Sequence, residues 1–318
     1  MKSIASAPGK VILFGEHFVV YGVKAILGSI DKRVTVTSST SPEESITIKS
    51  TLGNLTIPIS EPYEDNSPLK PFAFIAKKMI REFDKKSGLE ITIKSDLLPG
   101  IGLGSSSACC VAAAASISNL FTKLSKEEVR KLATDAEKTI FKNTSGADCT
   151  VCTYGGIIEY DKKSGFKQLT TNSDFSLVIA NSMTPHSTDV VANKVKEFRE
   201  ENPQVFSSLC NDESKLIAKV NSSLSKNNLN QLGQIMSENQ NYLEKIGVAN
   251  DKLRSMIRIA KETSFGAKIT GAGGGGCIIA LVDKSNSEQT ISNLKSNNIE
   301  CFSVKIDSKG LIQELIEE

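Results

Sequence analysis

A glycine-rich loop followed by three serines is the stretch of this sequence best suited to chemistry. Residues 97–115 read LLPGIGLGSSSACCVAAAA, with Gly100, Gly102 and Gly104 alternating through the loop. Glycines allow positive φ values and let a bulky ligand approach the main chain. A small-residue helix is predicted to follow with Ser105 as its N-cap, and the free N–H groups of its first turn would attract a polyphosphate. The stretch predicts a phosphate site, with a plain turn before a buried helix as the alternative.

Common nucleotide-binding motifs do not describe this loop. A P-loop carries Lys-Ser/Thr after its last glycine, and GLGSSS contains no lysine; protein kinases need H-R-D and D-F-G, which are absent. A second glycine run, TGAGGGG at 270–276, satisfies G-x-G-x-x-G but leads into the apolar run CIIALV rather than a helix, which excludes a dinucleotide fingerprint. It is either a hairpin turn or a second backbone surface that packs on a phosphate.

Polar residues in an apolar context near the N-terminus form a second candidate site. Lys10, Glu16 and His17 lie within PGKVILFGEHFVVYG, residues 8–22, which is predicted to form two strands joined by a polar turn. Burying charged groups there is costly unless they pair with one another or serve a ligand. Both alternatives stay open on the sequence pattern alone.

Two carboxylates follow the glycine-rich loop. Ser125 and Glu128 form a capping box that begins a helix, and Glu137 falls at the edge of its apolar stripe, facing inward. An inward carboxylate requires a partner, which is either a salt bridge or a metal cation near phosphates. Asp148 ends the turn-rich segment NTSGAD at 143–148 and is either a turn residue or a functional acid.

Composition excludes several classes of function. The 318 residues are 39% apolar and 23% charged, which is ordinary for a globular protein and long enough for two domains. The net charge is only +2, from 38 basic and 36 acidic residues, so neither nucleic acid nor a membrane surface is expected as the main partner. No signal peptide or spanning run is recognised, and the expected compartment is the cytoplasm. Seven cysteines in mostly apolar runs indicate reduced core thiols rather than disulfides or zinc.

Periodicity predicts a mixed α+β fold with two domains. Alternating apolar residues over 33–59 and 90–96 predict strands, and 68–83 has helical spacing. A polar break near 171–174 divides the chain into predicted domains 1–172 and 173–318. The second domain reads β-α-β-β-α-β, the ferredoxin-like order, followed by a terminal helix.

Three stretches of the sequence resemble the three motifs of the GHMP kinase family. They are residues 8–22, PGIGLGSSSA at 99–108 and KITGAGGGGC at 268–277, in the family's order. Within the family, GEHFVVYG and the segment NTSGADCTVCTYGG at 143–156 are similar to the mevalonate kinases. The resemblance implies an N-terminal domain of the ribosomal-S5-like type that carries the ATP, Mg²⁺ and catalytic motifs. It also implies a C-terminal ferredoxin-like domain, with ATP and substrate bound between the two.

The resemblance also implies roles for individual residues. Asp148 would accept or orient the proton of the substrate hydroxyl, and Lys10 would lower the pKa of that oxygen. Ser106 and Glu137 would hold Mg²⁺. The residues implied to contact the rest of the substrate are Glu16, His17 and Thr188, the last in a P-x-x-T segment where His186 replaces the usual arginine. The residues implied to contact ATP are Pro99, Gly100, Gly102, Leu103, Gly104, Ser105, Ser106, Ser107, Gly271 and Ala272.

The implied activity is ATP-dependent phosphorylation of the primary hydroxyl of mevalonate, a step of isoprenoid biosynthesis, with ATP and Mg²⁺ as cofactors. Alternatives within the family are phosphomevalonate kinase, homoserine kinase, mevalonate 3-kinase and diphosphomevalonate decarboxylase. A non-catalytic sensor on the same scaffold is an alternative of a different class. The sequence is compatible with a homodimer but does not predict the oligomeric state.

Overall fold

The computed structural model describes residues 1–63, 67–85, 87–142, 144–171, 174–185 and 187–316. The strands are β1 (Lys2–Phe14), β2 (Ala25–Ser41), β3 (Ser45–Ser50), β4 (Gly53–Pro58), β5 (Gly88–Ser95), β6 (Ile157–Asp161), β7 (Gly165–Leu169), β8 (Ser176–Asn181), β9 (Gly266–Thr270), β10 (Cys277–Val282), β11 (Cys301–Lys305) and β12 (Ile312–Ile316). The helices are α1 (Lys70–Glu82), α2 (Ser105–Ser118), α3 (Lys126–Glu137), α4 (Ala147–Tyr154), α5 (Thr188–Glu201), α6 (Pro203–Ser225), α7 (Leu229–Lys245), α8 (Asp251–Lys261) and α9 (Ser287–Ser296).

The first sheet is built around the two long strands β1 and β2. Its order is β12-β1-β2-β5-β3-β4, and β6 pairs with both β2 and β7. Neighbours are antiparallel except β3 and β5, which are parallel. Helix α2 packs against both long strands and against α1, α3 and α4. Because α2 is composed of Ala, Val, Cys and Ser with a single Ile, it can be buried on all sides, and residues 107–118 are all buried.

The second sheet has the order β11-β8-β10-β9 and is antiparallel throughout. Helices α7, α8 and α9 pack against its strands. The predicted β-α-β-β-α-β order is therefore present, with α5 to α8 filling the first crossover. The predicted two-domain α+β fold is confirmed. In the part of the chain that the structure describes, no helix combines the length and apolar character needed to cross a membrane.

Three local predictions were wrong. The chain end is a strand rather than a helix, because β1 offers a free edge and 312–316 pairs with it in antiparallel register, Ser3 opposite Leu315. The apolar run after the Glu16-His17 turn is a short 3₁₀ helix, Phe18–Tyr21, rather than a strand. The N-cap of α2 is Gly104, in the left-handed region, rather than Ser105. A glycine can reverse the backbone direction there without strain.

The predicted division into 1–172 and 173–318 stays a prediction, since residues 172 and 173 lie outside the described residues. Strand β12 falls in the second predicted range but lies in the first sheet. A partly buried group of contacts around Arg33, here called the tether, holds the chain where it returns to that sheet. The Arg33 guanidinium forms an ion pair with Asp307 and donates to the carbonyls of Ser6 and Gly310, at 2.8 and 2.7 Å.

Removing this tether should lower stability. In Asp307→Ala, the Arg33 guanidinium, which is only 18% exposed, loses its carboxylate, and we expect a loss of about 3 kcal/mol in the free energy of unfolding. Urea unfolding measures the change. Asp174→Ala is the control because Asp174 is 73% exposed and pairs with an exposed Lys284; its midpoint should match the unmodified protein. Equal midpoints for both variants would contradict the tether.

Candidate active site

Lys10 and Asp148 lie in direct contact at the centre of the candidate site. Lys10 is on β1 and buried, whereas Asp148 is in the first turn of α4 and 33% exposed. The Lys10 Nζ atom is 3.1 Å from Asp148 Oδ2. Gly146, with φ +77°, is the N-cap of α4 and turns the chain so that the carboxylate reaches the strand. The pair therefore combines a fixed buried cation with an acid that a ligand can reach.

The glycine-rich loop packs directly on the stem of Lys10. Gly100, Gly102 and Gly104 all have the expected positive φ, at 77°, 85° and 71°. The Lys10 backbone N–H donates to the carbonyl of Leu103 at 2.8 Å. A Cβ atom at residue 104 would lie 2.6 Å from Lys10 Cγ, so this position requires glycine. The first turn of α2, which begins directly after it, has N–H groups with no acceptor within the helix, and these are suited to an anion.

Glu137 ends α3 and is buried near this loop. Its carboxylate accepts hydrogen bonds from the hydroxyls of Ser107 and Thr144, the latter at 2.5 Å, and from Cys149 Sγ at 3.7 Å. Burial raises the pKa of Glu137, and the negative charge of Asp148 raises it further. Among the described residues Glu137 forms no ion pair, which leaves the salt-bridge alternative without support.

The hydroxyl that bonds to Glu137 belongs to Ser107, although the resemblance paired this glutamate with Ser106 at a metal. Ser106 is half-buried, one residue earlier in α2. The Thr144 hydroxyl adds a second hydrogen bond to the Glu137 carboxylate.

The residues around Glu137 fit a magnesium ion that arrives with a polyphosphate. Within the described ranges there is no cluster of three or more His, Cys, Asp or Glu residues that would form a complete metal cage. Magnesium is usually bound through one or two carboxylates together with substrate phosphates. The Glu137 carboxylate and the serine hydroxyls of α2 supply oxygen donors of that kind, so the donor set fits.

Glu16 and His17 form a rigid turn against the second sheet. Glu16 is fully buried and pairs with Lys268 on β9, also fully buried. The His17 ring donates from Nε2 to the carbonyl of Ala272 at 2.7 Å, and its φ is +59°. Burial lowers the pKa of His17, and the hydrogen bond to the carbonyl opposes that shift. Thr188 is exposed at the first residue of α5, and His186 lies outside the described residues.

The second glycine run does more than close a hairpin. It connects β9 to β10, and the Thr270 hydroxyl both donates to the carbonyl and accepts from the N–H of Ile12 on β1, at 3.0 and 2.9 Å. A Cβ atom at Gly273 would lie 2.5 Å from the carbonyl oxygen of Val248. The run therefore joins the two sheets beside His17. Contact of Gly271 and Ala272, both half-buried, with a phosphate stays a prediction.

Sequence reasoning missed Lys268 and Glu213 as members of the site. Glu213 accepts the Gly15 N–H at 2.9 Å from α6. Two signals could have found them. Lys268 interrupts a fully buried strand, and Glu213 occupies the apolar face of a helix between Leu209 and Leu216.

The chain matches known families along most of its length. Residues 72–156 match the family model for the GHMP kinases N terminal domain, and residues 220–300 match GHMP kinases C terminal. The chain is 33% identical to a mevalonate kinase of Thermococcus sibiricus over 306 residues and 34% identical to one of Pyrococcus furiosus over 307. Each alignment covers 91% of both proteins. Among solved structures, L. major mevalonate kinase in complex with R-mevalonate superposes with a TM-score of 0.81 at 26% identity, over 95% of each chain.

The buried charge of Glu137 should cost stability at neutral pH. Its pKa is higher in the folded state than the ordinary value of 4.5, so the folded state binds the proton more tightly than the unfolded state does. The free energy of unfolding therefore falls as pH rises above 4.5, where the unfolded chain has lost this proton. Glu137→Gln should therefore unfold at a higher urea concentration than the unmodified protein at pH 7.5, with the difference shrinking at pH 4.5.

Glu128→Gln is a control for which the expected change in the free energy of unfolding has the opposite sign. Hydrogen bonds from Ser125 lower the pKa of Glu128, so this variant should be less stable at pH 7.5. If Glu137→Gln unfolds at the same urea concentration as the unmodified protein at both pH values, the charge of Glu137 has no cost.

Proposed function

Because the chain belongs to the GHMP kinase family of ATP-dependent kinases, we propose that it transfers the γ-phosphoryl group of ATP to the primary hydroxyl of mevalonate, giving 5-phosphomevalonate. The observation that carries the proposal is the contact between Lys10 and Asp148 at 3.1 Å, in a chain about a third identical to proteins named mevalonate kinase. The glycine-rich loop that packs on Lys10 supports binding of the polyphosphate beside this pair.

Phosphoryl transfer leaves the protein three tasks: aligning the hydroxyl, neutralising charge and excluding water. Asp148 is exposed enough to hold the acceptor hydroxyl and accept its proton. The buried Lys10 ammonium lies where it would stabilise the alkoxide that forms. Its position is constrained by Gly104 and by the backbone bond to Leu103, so little reorganisation is needed.

The remaining residues of the site are proposed to bind the ATP phosphates with Mg²⁺ and the part of mevalonate away from its reacting hydroxyl. The residues proposed to line the phosphates are Pro99, Gly100, Gly102, Leu103, Gly104, Ser105, Ser106, Ser107, Gly271 and Ala272. Ser106 and Glu137 are proposed to hold Mg²⁺, which when bound neutralises phosphate charge. His17 and Thr188 are proposed to contact the rest of mevalonate, and Glu16, fully buried against Lys268, is proposed to support that contact from behind His17. The His17 ring already donates Nε2–H to Ala272, so its Nδ1 side is the one left for a ligand.

The proposed product is a precursor of isoprenoids, and the proposed compartment is the cytoplasm. A homodimer stays a prediction. The alternative of a different class is a sensor that binds ligands without catalysis. Such a sensor would not require the contact between Lys10 and Asp148 beside the glycine-rich loop.

Substrate choice is the direct test. With ATP and Mg²⁺, the protein should release ADP in the presence of mevalonate at least about tenfold faster than with galactose, homoserine or phosphomevalonate, because a site built for one acceptor leaves polar groups unpaired with another. NMR of the product should place the phosphate on the primary oxygen. Faster turnover of another acceptor would refute the assignment, and binding of mevalonate without turnover would favour the sensor.

The role of Asp148 can be separated from binding. Asp148→Asn keeps the size of the side chain but removes the charge, so kcat should fall at least about 100-fold while KM for mevalonate stays within a few-fold. Asp135→Asn is the control, because Asp135 is exposed and pairs with Lys138 on the outer face of α3. Near-normal kcat in Asp148→Asn would make Asp148 a turn residue only.

A further inference from the structure

Glu213 is a fully buried acid that the proposed chemistry does not use. It lies on the face of α6 that packs against α7, and both of its oxygens accept from Asn239 Nδ2 on α7, at 2.8 Å each. Its Oε1 also accepts the backbone N–H of Gly15, at 2.9 Å. A buried acid with this set of donors has a defined orientation. It contacts the chain one residue before Glu16.

The turn from Gly15 to His17 is held at each of its three residues. Gly15 is held by Glu213 on α6, Glu16 by Lys268 on β9, and His17 by the Ala272 carbonyl in the loop after β9. All three anchors come from the part of the chain that forms the second sheet and its helices. The orientation of the turn is therefore set from outside the sheet to which β1 belongs.

The buried charges behind the turn do not balance. Glu16 and Glu213 share the buried cation Lys268, which also donates to the Ile269 carbonyl at 2.6 Å. The charge of Lys10 also acts on Glu16, but Lys10 already pairs with Asp148. Glu16 Oε2 is buried and has no hydrogen-bond partner among the described residues. Two ionised carboxylates that share one ammonium in a buried environment disfavour ionisation of each other.

Burial raises the pKa of Glu213 to about 7, with the charge of Glu16 adding to the shift and the bonds from Asn239 and Gly15 and the charge of Lys268 opposing it. Burial likewise raises the pKa of Glu16. The titratable and charged groups that face this cluster are Lys10 on β1, Lys268 on β9, Cys210 on α6 and Tyr242 on α7.

We propose that Glu213 is a positioning residue for the acceptor end of the active site, which it controls by holding the Gly15–His17 turn more firmly when ionised than when protonated. A carboxylate makes stronger hydrogen bonds to N–H donors than a carboxylic acid does. The proposal rests on the proposed function, because His17 in this turn is proposed to contact mevalonate and Glu16 to support that contact.

KM for mevalonate should fall as pH rises, because the ionised form of Glu213 is the one that holds the turn more firmly. As pH falls through about 7, Glu213 gains a proton, the bond to Gly15 weakens, and His17 is held less firmly. KM for mevalonate should therefore be about fivefold higher at pH 6 than at pH 8, since a charged hydrogen bond is worth more than a neutral one by that order. KM for ATP should not share this step.

Glu213→Gln is the variant that tests the role. It keeps the size of the side chain, and because Asn239 Oδ1 is buried without a partner among the described residues, the two amides can form a reciprocal pair. KM for mevalonate at pH 8 should be about fivefold above that of the unmodified protein and constant down to pH 6, with kcat within about twofold. Asp212→Asn removes the same charge from the next residue, which pairs with Lys215 away from the turn; it should retain the pH step.

A second measurement does not depend on catalysis. The sequence contains two Phe-Gly pairs, Phe14-Gly15 and Phe265-Gly266. Labelling phenylalanine carbonyls with ¹³C and glycine nitrogens with ¹⁵N therefore selects two amide signals in NMR spectra. The Gly15 signal should titrate with a midpoint near pH 7 in the unmodified protein and not in Glu213→Gln, and the Gly266 signal serves as the internal reference.

The outcomes separate the inference from the proposed function. A protein that does not phosphorylate mevalonate but shows the Gly15 titration has a different acceptor, and the KM for that acceptor should then carry the pH step. A pH step in KM that survives in Glu213→Gln overturns the role of Glu213. If Glu213→Gln does not fold, a Gly15 signal that is constant from pH 6 to 8 in the unmodified protein overturns it as well.

Discussion

The cost of burying charge is the constraint on which the rest of this structure depends. Lys10, Glu16, Glu137, Glu213 and Lys268 are all buried, and each would destabilise the fold if it lacked a partner. Each therefore has a partner from a different element, so the elements are locked in the arrangement that satisfies the charges. Such pairs add little net stability compared with apolar residues. What they provide is a defined position for each polar atom.

Strand β1 is where these demands meet. Its first half pairs with β12, which the Arg33–Asp307 tether brings back to the first sheet. Its second half carries Lys10 and is joined to the second sheet by the Thr270 hydroxyl at Ile12. The strand is thus fixed from both parts of the chain, and its lysine lies at their junction. A small shift between the two sheets would move Lys10 relative to the turn that follows the strand.

Two buried acids of the site, Glu137 and Glu213, carry charge that does not stabilise the fold. The pKa of Glu137 is raised by burial and by Asp148, and that of Glu213 by burial and by Glu16, so both acids oppose folding at neutral pH when ionised. Natural proteins keep such costs where they serve binding or catalysis. The hydroxyl and amide donors around the two acids reduce the cost without removing the charge, which keeps each carboxylate available to act on a neighbour.

The sequence by itself determined the features that local chemistry encodes. These are the positive-φ glycines beside Lys10, the capping box that begins α3, the inward face of Glu137 and the α+β order of elements, with the family following from three motifs. Only the tertiary structure decided which side chains meet. Lys268 pairs with Glu16 across 252 positions, Glu213 reaches Gly15 across 198, and Ser107 rather than Ser106 bonds to Glu137. No local pattern specifies such partners, because burial requires that a charge be satisfied but leaves packing to choose the group that satisfies it. Tertiary structure also decided the last strand, β12: pairing with the free edge of β1 outweighed the helical tendency of the chain end.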